Sequence, residues 1–218
     1  MKNLSSFAKI AVIVMCAAVL ALSCDDKGGG GEVSKVEFFK DLGYGAVAAN
    51  GTGPIAVQSG WTRYEAESAV IFGSSRLSDT PIGTESNSFW SGGKSAGGMN
   101  KNEITVSEVY PDWTNIAYVK FTVNVTQAGN YRINILYNGN DDKDILVRLN
   151  DEQVLVQFPR QDGNHEWDSL FTRQIAIGPF KAGSNEVWIS GVIDRGQHGD
   201  GWANIDCIDV QDTLYIEE

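Results

Sequence analysis

Two glutamates spaced two apart, Glu65 and Glu67 in Arg63-Tyr64-Glu65-Ala66-Glu67-Ser68-Ala69, carry an evident chemistry. So does an aspartate far along the chain, Asp206 in Asn204-Ile205-Asp206-Cys207-Ile208-Asp209-Val210. On a strand, residues two apart lie on one face. Two carboxylates held that close repel each other unless a cation sits between them. By the same alternation Asp206 shares a face with Ile208 and Val210, which sets a carboxylate at the rim of an apolar core, where it needs a partner. If the first and last strands pair, Glu65, Glu67 and Asp206 meet. An oxygen-only donor set of that kind suits calcium rather than zinc. Spacing alone leaves the plainer alternative open, a pair of solvated glutamates on an edge strand. His165 and His198 make no metal-binding spacing with each other or with the cysteines.

A second chemistry precedes Asp206. The glycine-rich loop Gly199-Asp200-Gly201 presents Trp202, and Asn204 follows two residues on. A sugar ring has an apolar C–H face that an indole covers and hydroxyls that an amide can both donate to and accept from. Trp167 and Trp90 lie in other loop-like stretches and are further candidate platforms. Arg195, in a long polar loop, is suited to the carboxylate of a uronic acid, with an exposed loop arginine as the plain reading. Trp113 and Trp188 read as structural, and Trp61 as cover for one end of the fold. Glycosidic hydrolysis would need two carboxylates flanking one bond. The obvious pair is better explained as metal ligands, and no nucleophile elbow is present. The chain therefore reads as a binding protein rather than an enzyme.

These groups must be positioned by a folded domain, and the composition allows one. The chain has 218 residues, a formal charge of −11, 24 glycines and 5 prolines. The acidity argues against nucleic acid and anionic membrane surfaces as partners. Lys2 and Lys9 precede an apolar run from Ile10 to Leu22, too short to span a bilayer. That run ends in Leu20-Ala21-Leu22-Ser23-Cys24, which resembles a bacterial lipobox and implies cleavage before Cys24 with lipidation of its thiol. Residues 1–23 are expected as the signal peptide, and 24–60 as lipidated Cys24, flexible glycine-rich tether and N-terminal extension. Val36-Glu37-Phe38-Phe39 reads as a short strand or helical turn. With Cys16 lost and Cys24 lipidated, Cys207 stands alone, a small apolar strand residue.

From Trp61 onward the periodicity is β. Val119, Phe121, Val123 and Val125 alternate with polar residues, and a turn leads to Tyr131, Ile133, Ile135 and Tyr137. Strands follow around Ile145 to Leu149, Val154 to Phe158, Phe171 to Ile177 and Val187 to Val192. No amphipathic helix intervenes. This predicts an all-β domain, an antiparallel β-sandwich or jelly roll over 61–212, with 213–218 as a C-terminal tail.

An ordered set of motifs resembles one family. Tyr64-Glu65-Ala66-Glu67 comes first, then Ser91-Gly92-Gly93, then Phe121-Thr122-Val123-Asn124-Val125 leading to Ala128-Gly129-Asn130-Tyr131. Trp167-Asp168-Ser169-Leu170, Gly183-Ser184-Asn185 and Asn204-Ile205-Asp206 complete it. Together they resemble the carbohydrate-binding modules of families 6 and 35. The resemblance implies a jelly roll with structural calcium held by Glu65, Glu67 and Asp206. It also implies a glycan site in the loops at one end, with Asn204 matching the family's asparagine. The chain departs from the pattern at Cys207, where an aromatic is usual, and after Gly93, where Lys94 to Gly98 lacks one. The expected function is polysaccharide binding by a lipid-anchored protein of the bacterial cell envelope, at the outer membrane or cell surface. A structural or adhesive surface lipoprotein with a degenerate sugar site is the alternative, and a small glycoside hydrolase or lyase is a weaker one.

Overall fold

The alternating runs form strands, and the strands stack into two antiparallel sheets. The computed structural model describes residues 35–44, 48–49, 54–73, 76–78, 90–97, 99, 113, 116–139, 143–158, 169–192 and 203–217. Its strands are β1 (Phe38–Tyr44), β2 (Ala48–Ala49), β3 (Trp61–Glu65), β4 (Val70–Phe72), β5 (Arg76–Ser78), β6 (Ser95–Gly97) and β7 (Tyr118–Val125). There follow β8 (Gly129–Asn138), β9 (Lys143–Leu149), β10 (Glu152–Phe158), β11 (Ser169–Phe180), β12 (Gly183–Val192) and β13 (Asn204–Gln211). The larger sheet runs β1-β11-β8-β13-β6-β5, with β2 also on β11 and β3 also on β13, and the smaller runs β10-β9-β12-β7-β4. From β7 onward the chain passes repeatedly between the sheets, as the predicted sandwich requires.

One apolar cluster fills the space between them. Val119, Phe121, Val123, Val147, Val187 and Ile189 come from the smaller sheet, and Ile133, Ile135, Ile175, Ile177, Ile205, Ile208 and Val210 from the larger. These are the residues that the period of two assigned to the core. The β9–β10 hairpin closes on Asn150 and Asp151, with Leu149 opposite Glu152. Asn150 takes the left-handed backbone such a two-residue turn needs (φ 54°).

The folded region starts earlier than Trp61. β1 pairs antiparallel along β11 from Phe38 opposite Gly178 to Tyr44 opposite Arg173. Phe39 packs on the core, Phe38 stacks near Tyr215 at 5.7 Å, and Lys40 pairs with Glu217 at 2.7 Å. Tyr215 N–H donates to Asn130 O at 2.7 Å. Part of the stretch assigned to tether and extension is thus an edge strand, and the C-terminal tail docks beside it. The reason is that β11 exposes a row of backbone groups that another strand satisfies.

Register also defines two ends. Asn204 pairs with Asn138, Phe171 with Tyr137, and Phe158 with Lys143. The connections 139–142, 159–168 and 193–203 therefore leave from one end, here the loop end. The turns at 126–128, 150–151 and 181–182 lie at the other.

On the outer face of the larger sheet, Arg63 of β3 lies opposite Asp209 of β13. Its Nε donates to Asp209 Oδ1 at 2.7 Å and one terminal nitrogen to Oδ2 at 2.8 Å, while the other reaches Ile55 O at 2.7 Å. Asp209 is buried, so the fork holds a charge that water does not. Arg63→Met should destabilise the domain by about 3–5 kcal/mol, because it strands that charge. Urea unfolding midpoints check this, and adding Asp209→Leu should recover much of the loss.

Candidate functional site

β3 and β13 pair, as the first and last strands were expected to, and Glu65 lies directly opposite Cys207. Two local irregularities then re-aim the acidic groups. β3 stops at Glu65 and the chain closes a 3-10 turn over Ala66–Ser68, with Ala69 N–H donating to Ala66 O. Ala66 is buried by that turn. Glu67 therefore leaves from a turn, and the expectation of a continuous strand with Glu65 and Glu67 on one face is corrected. In β13 the register against β8 shifts between Ile205 and Cys207. Ile205 and Ile208 both face the core, so the alternation that grouped Asp206 with Ile208 and Val210 breaks at Asp206. A bulge of this kind redirects one side chain, and here it sets a carboxylate beside Cys207 and Glu65 instead of among the core residues; Asp206 is nevertheless fully buried.

A single turn receives all three acids. Ser91 N–H donates to Asp206 Oδ1 at 2.9 Å, and Ser91 Oγ donates to Glu65 Oε2 in a short hydrogen bond. Lys94 N–H donates to Glu67 Oε1 at 2.7 Å. A Cβ on Gly92 would collide with the Glu67 carboxylate, so only glycine lets the turn pass this close. Glu67 Oε2 is buried and has no hydrogen-bond partner among the described residues.

Ligand-type atoms of Glu65, Asp206 and Cys207 lie within 4.8 Å of one another. The thiol is held neutral, since burial foremost and then the Asp206 charge push its titration well up. It contacts Asp206 Oδ2 at 3.5 Å as a weak donor and packs with Trp90, Leu136 and Leu170. That leaves the oxygens to meet any cation. Burial foremost, with the Glu65 charge adding to it, raises Asp206 from 3.8 to about 7 against the Ser91 hydrogen bonds. Burial also raises Glu65, Ser91 and Arg63 oppose it, and Glu67 adds to it. The cluster holds more negative charge than its own donors satisfy, the condition in which a bound cation is stabilising.

Asn204, at the head of β13 and the loop end, is half-buried. Its side-chain oxygen occupies the space that a Cβ on Gly97 would fill. Trp90 does not serve as a sugar platform: it is 3% exposed and covered by Leu136, Leu170, Cys207 and Ile55. The acid-binding turn begins at Trp90, and burying the indole anchors that turn. Trp113 is buried, as expected, and Trp188 stacks with Tyr118 at 4.4 Å on the outer face of the smaller sheet. Trp202, Trp167, Arg195 and Cys24 lie outside the described residues. The roles of Ser91 as double donor and of Gly97 as the gap for Asn204 escaped the sequence reading. The Ser91-Gly92-Gly93 triplet was the available signal.

No protein-family model matches the sequence, and no curated protein matches it. Solved structures do. An isomalto-dextranase from Arthrobacter globiformis T6, complexed with panose, aligns at 23% identity and TM-score 0.51 over 70% of this chain and 23% of its own. A family 35 carbohydrate-binding module from Clostridium thermocellum aligns at 19% and 0.49, over 70% of this chain and 98% of its own. The Podospora anserina GH26-CBM35 β-(1,4)-mannanase aligns at 20% and 0.48, over 73% and 29%. The likeness is one of fold. The chain spans under a third of each of these two enzymes and nearly all of the free-standing module.

In chelator, the folded state holds the Asp206 proton more tightly than the unfolded chain does between about pH 4 and about 7. Stability should therefore fall as pH rises through that window, and excess divalent cation should flatten or reverse the fall. Urea midpoints with chelator and with cation check the sign; a chelated midpoint that climbs would sink the reading. Trp90→Ala should cost about 3–5 kcal/mol of stability, measured by the same unfolding, with glycan affinity of the folded fraction unchanged.

Proposed function

We propose that the chain is a non-catalytic polysaccharide-binding module with a structural calcium ion. The observation that carries this reading is the turn at Ser91–Lys94, which gathers Glu65, Glu67 and Asp206, the last of them two residues beyond Asn204 on β13. Calcium accepts many carboxylate and carbonyl oxygens in irregular geometry. Glu65, Glu67 and Asp206 are the ligands, and the ion's charge offsets the repulsion within the cluster. The glycan site lies at the loop end, where Asn204 supplies hydrogen bonds and Trp202 and Trp167 supply ring faces, with Arg195 available to an acidic unit. The fold it shares with carbohydrate-active proteins supports the class. Carboxylates pinned by hydrogen bonds, one of them fully buried, support binding over catalysis, because a hydrolytic pair must reach a sugar bond. Cys24 carries the lipid, and the module faces a polymer at the bacterial cell envelope, capturing it for separate enzymes or transporters.

The burial of Trp90 favours the second reading, a structural or adhesive surface lipoprotein, to the extent that it removes one expected platform. Glycan-array binding with and without a calcium chelator separates the two. The proposed module binds a restricted set of polysaccharides and weakens in chelator. Asn204→Ala should lose about tenfold in affinity on those glycans, the worth of a well-made hydrogen bond. An array blank under both conditions overturns glycan binding. Retained binding with no chelator effect overturns the calcium role alone.

A further inference from the structure

Arg173 breaks the pattern of its own strand. Along β11, Phe171, Ile175 and Ile177 face the core, and Arg173 holds the same parity, opposite Ile135 of β8. It is 4% exposed. A guanidinium at an interior position is costly unless every N–H finds an acceptor. One terminal nitrogen pairs with Asp41 of β1, and the guanidinium carbon lies 4.8 Å from the Tyr44 ring centre. The Nε–H is buried with no partner among the described residues.

A second orphan sits next to it. Tyr137 of β8 pairs with Phe171, two residues from Arg173 on β11, a diagonal that long side chains bridge. Tyr137 is 3% exposed, and its ring is fixed by Phe158 at 4.5 Å and Phe171 at 5.8 Å. Its hydroxyl is buried with no partner among the described residues. The groups feel one another: after burial, the Tyr44 phenol pushes the Tyr137 titration up and the Arg173 cation opposes it. Asp41 and Tyr44, about half exposed, form the outer lip.

Two buried donors, one charged, thus share a neighbourhood, and neither finds an acceptor among the described residues. Asp41 spends its charge on another Arg173 nitrogen and stays half in water. We infer that Arg173 and Tyr137 form an anion site whose ligand is a carboxylate group, entering past Asp41 and Tyr44. The guanidinium Nε–H and the phenol O–H donate to its oxygens. The site lies at the β1–β11 edge and owes nothing to the acidic cluster or to Asn204, so it stands or falls apart from the glycan reading.

The full chain is titrated with sodium acetate, sodium glucuronate and, as the uncharged control, glucose, while the arginine Nε–H resonances are followed by NMR. The Arg173 signal is assigned by its loss in Arg173→Lys. A saturable shift with a carboxylate and none with glucose is expected, weakened about tenfold or more in Tyr137→Phe, which removes only the donor hydroxyl. A response to acetate alone marks a site for small carboxylates, and a tighter response to glucuronate marks an acidic sugar. No saturable shift with either carboxylate overturns the site, as does a shift that Tyr137→Phe leaves unchanged. If Arg173→Lys does not fold, Tyr137→Phe still decides the matter.

Discussion

A carboxylate with no water around it governs this architecture. Asp206 is fully buried where β13 pairs with the end of β3, and an isolated charge in such a place is costly. The surrounding irregularities follow from that one demand. The bulge in β13 brings the group beside Cys207 and Glu65, and the Ser91 amide reaches down to meet it. Gly92 permits the approach that brings Glu67 into the same turn. Trp90 then seals the turn from outside, which is why an aromatic beside a polar loop turns out to be packing. Ligand-type atoms of Glu65, Asp206 and Cys207 stand close enough together there to hold a cation.

The fold was legible because it rests on period. Seven- to twelve-residue strands with alternating valine, isoleucine and phenylalanine can bury one face in only one way, and β7 to β13 appear where the alternation places them. The three acids were legible as a set because two lie close in sequence and the third precedes a strongly β-forming segment. Their geometry was not. Alternation treats a strand as unbroken, and both Glu67 and Asp206 sit at breaks, a 3-10 turn and a bulge, that depend on contacts with a loop 25 residues or more away. The edge strand β1 was obscured for a similar reason. Its short, glycine-interrupted sequence has little intrinsic preference, and what makes it a strand is the open flank of β11. Burial of Trp90 was unreadable because tryptophan serves equally as core and as platform, and only its neighbours decide.

Polar groups inside the sandwich come in two kinds. Arg63 with Asp209 is closed, each guanidinium nitrogen having an acceptor. Arg173 with Tyr137 is open. The first kind fixes register between β3 and β13, since a slip of one residue would separate the fork from its carboxylate. The second leaves capacity for something from outside.

The direction of β1 carries a mechanical consequence. It enters at the far end of the sandwich, beside the 150–151 and 181–182 turns, and runs toward the end that bears Asn204. Tension applied upstream of Lys35 and resisted at the Asn204 end would act along the strand axis. The β1–β11 ladder, whose bonds lie across that axis, would then be loaded in shear, all rungs together, instead of peeling open one at a time. A domain threaded in this way resists being dragged apart along that axis.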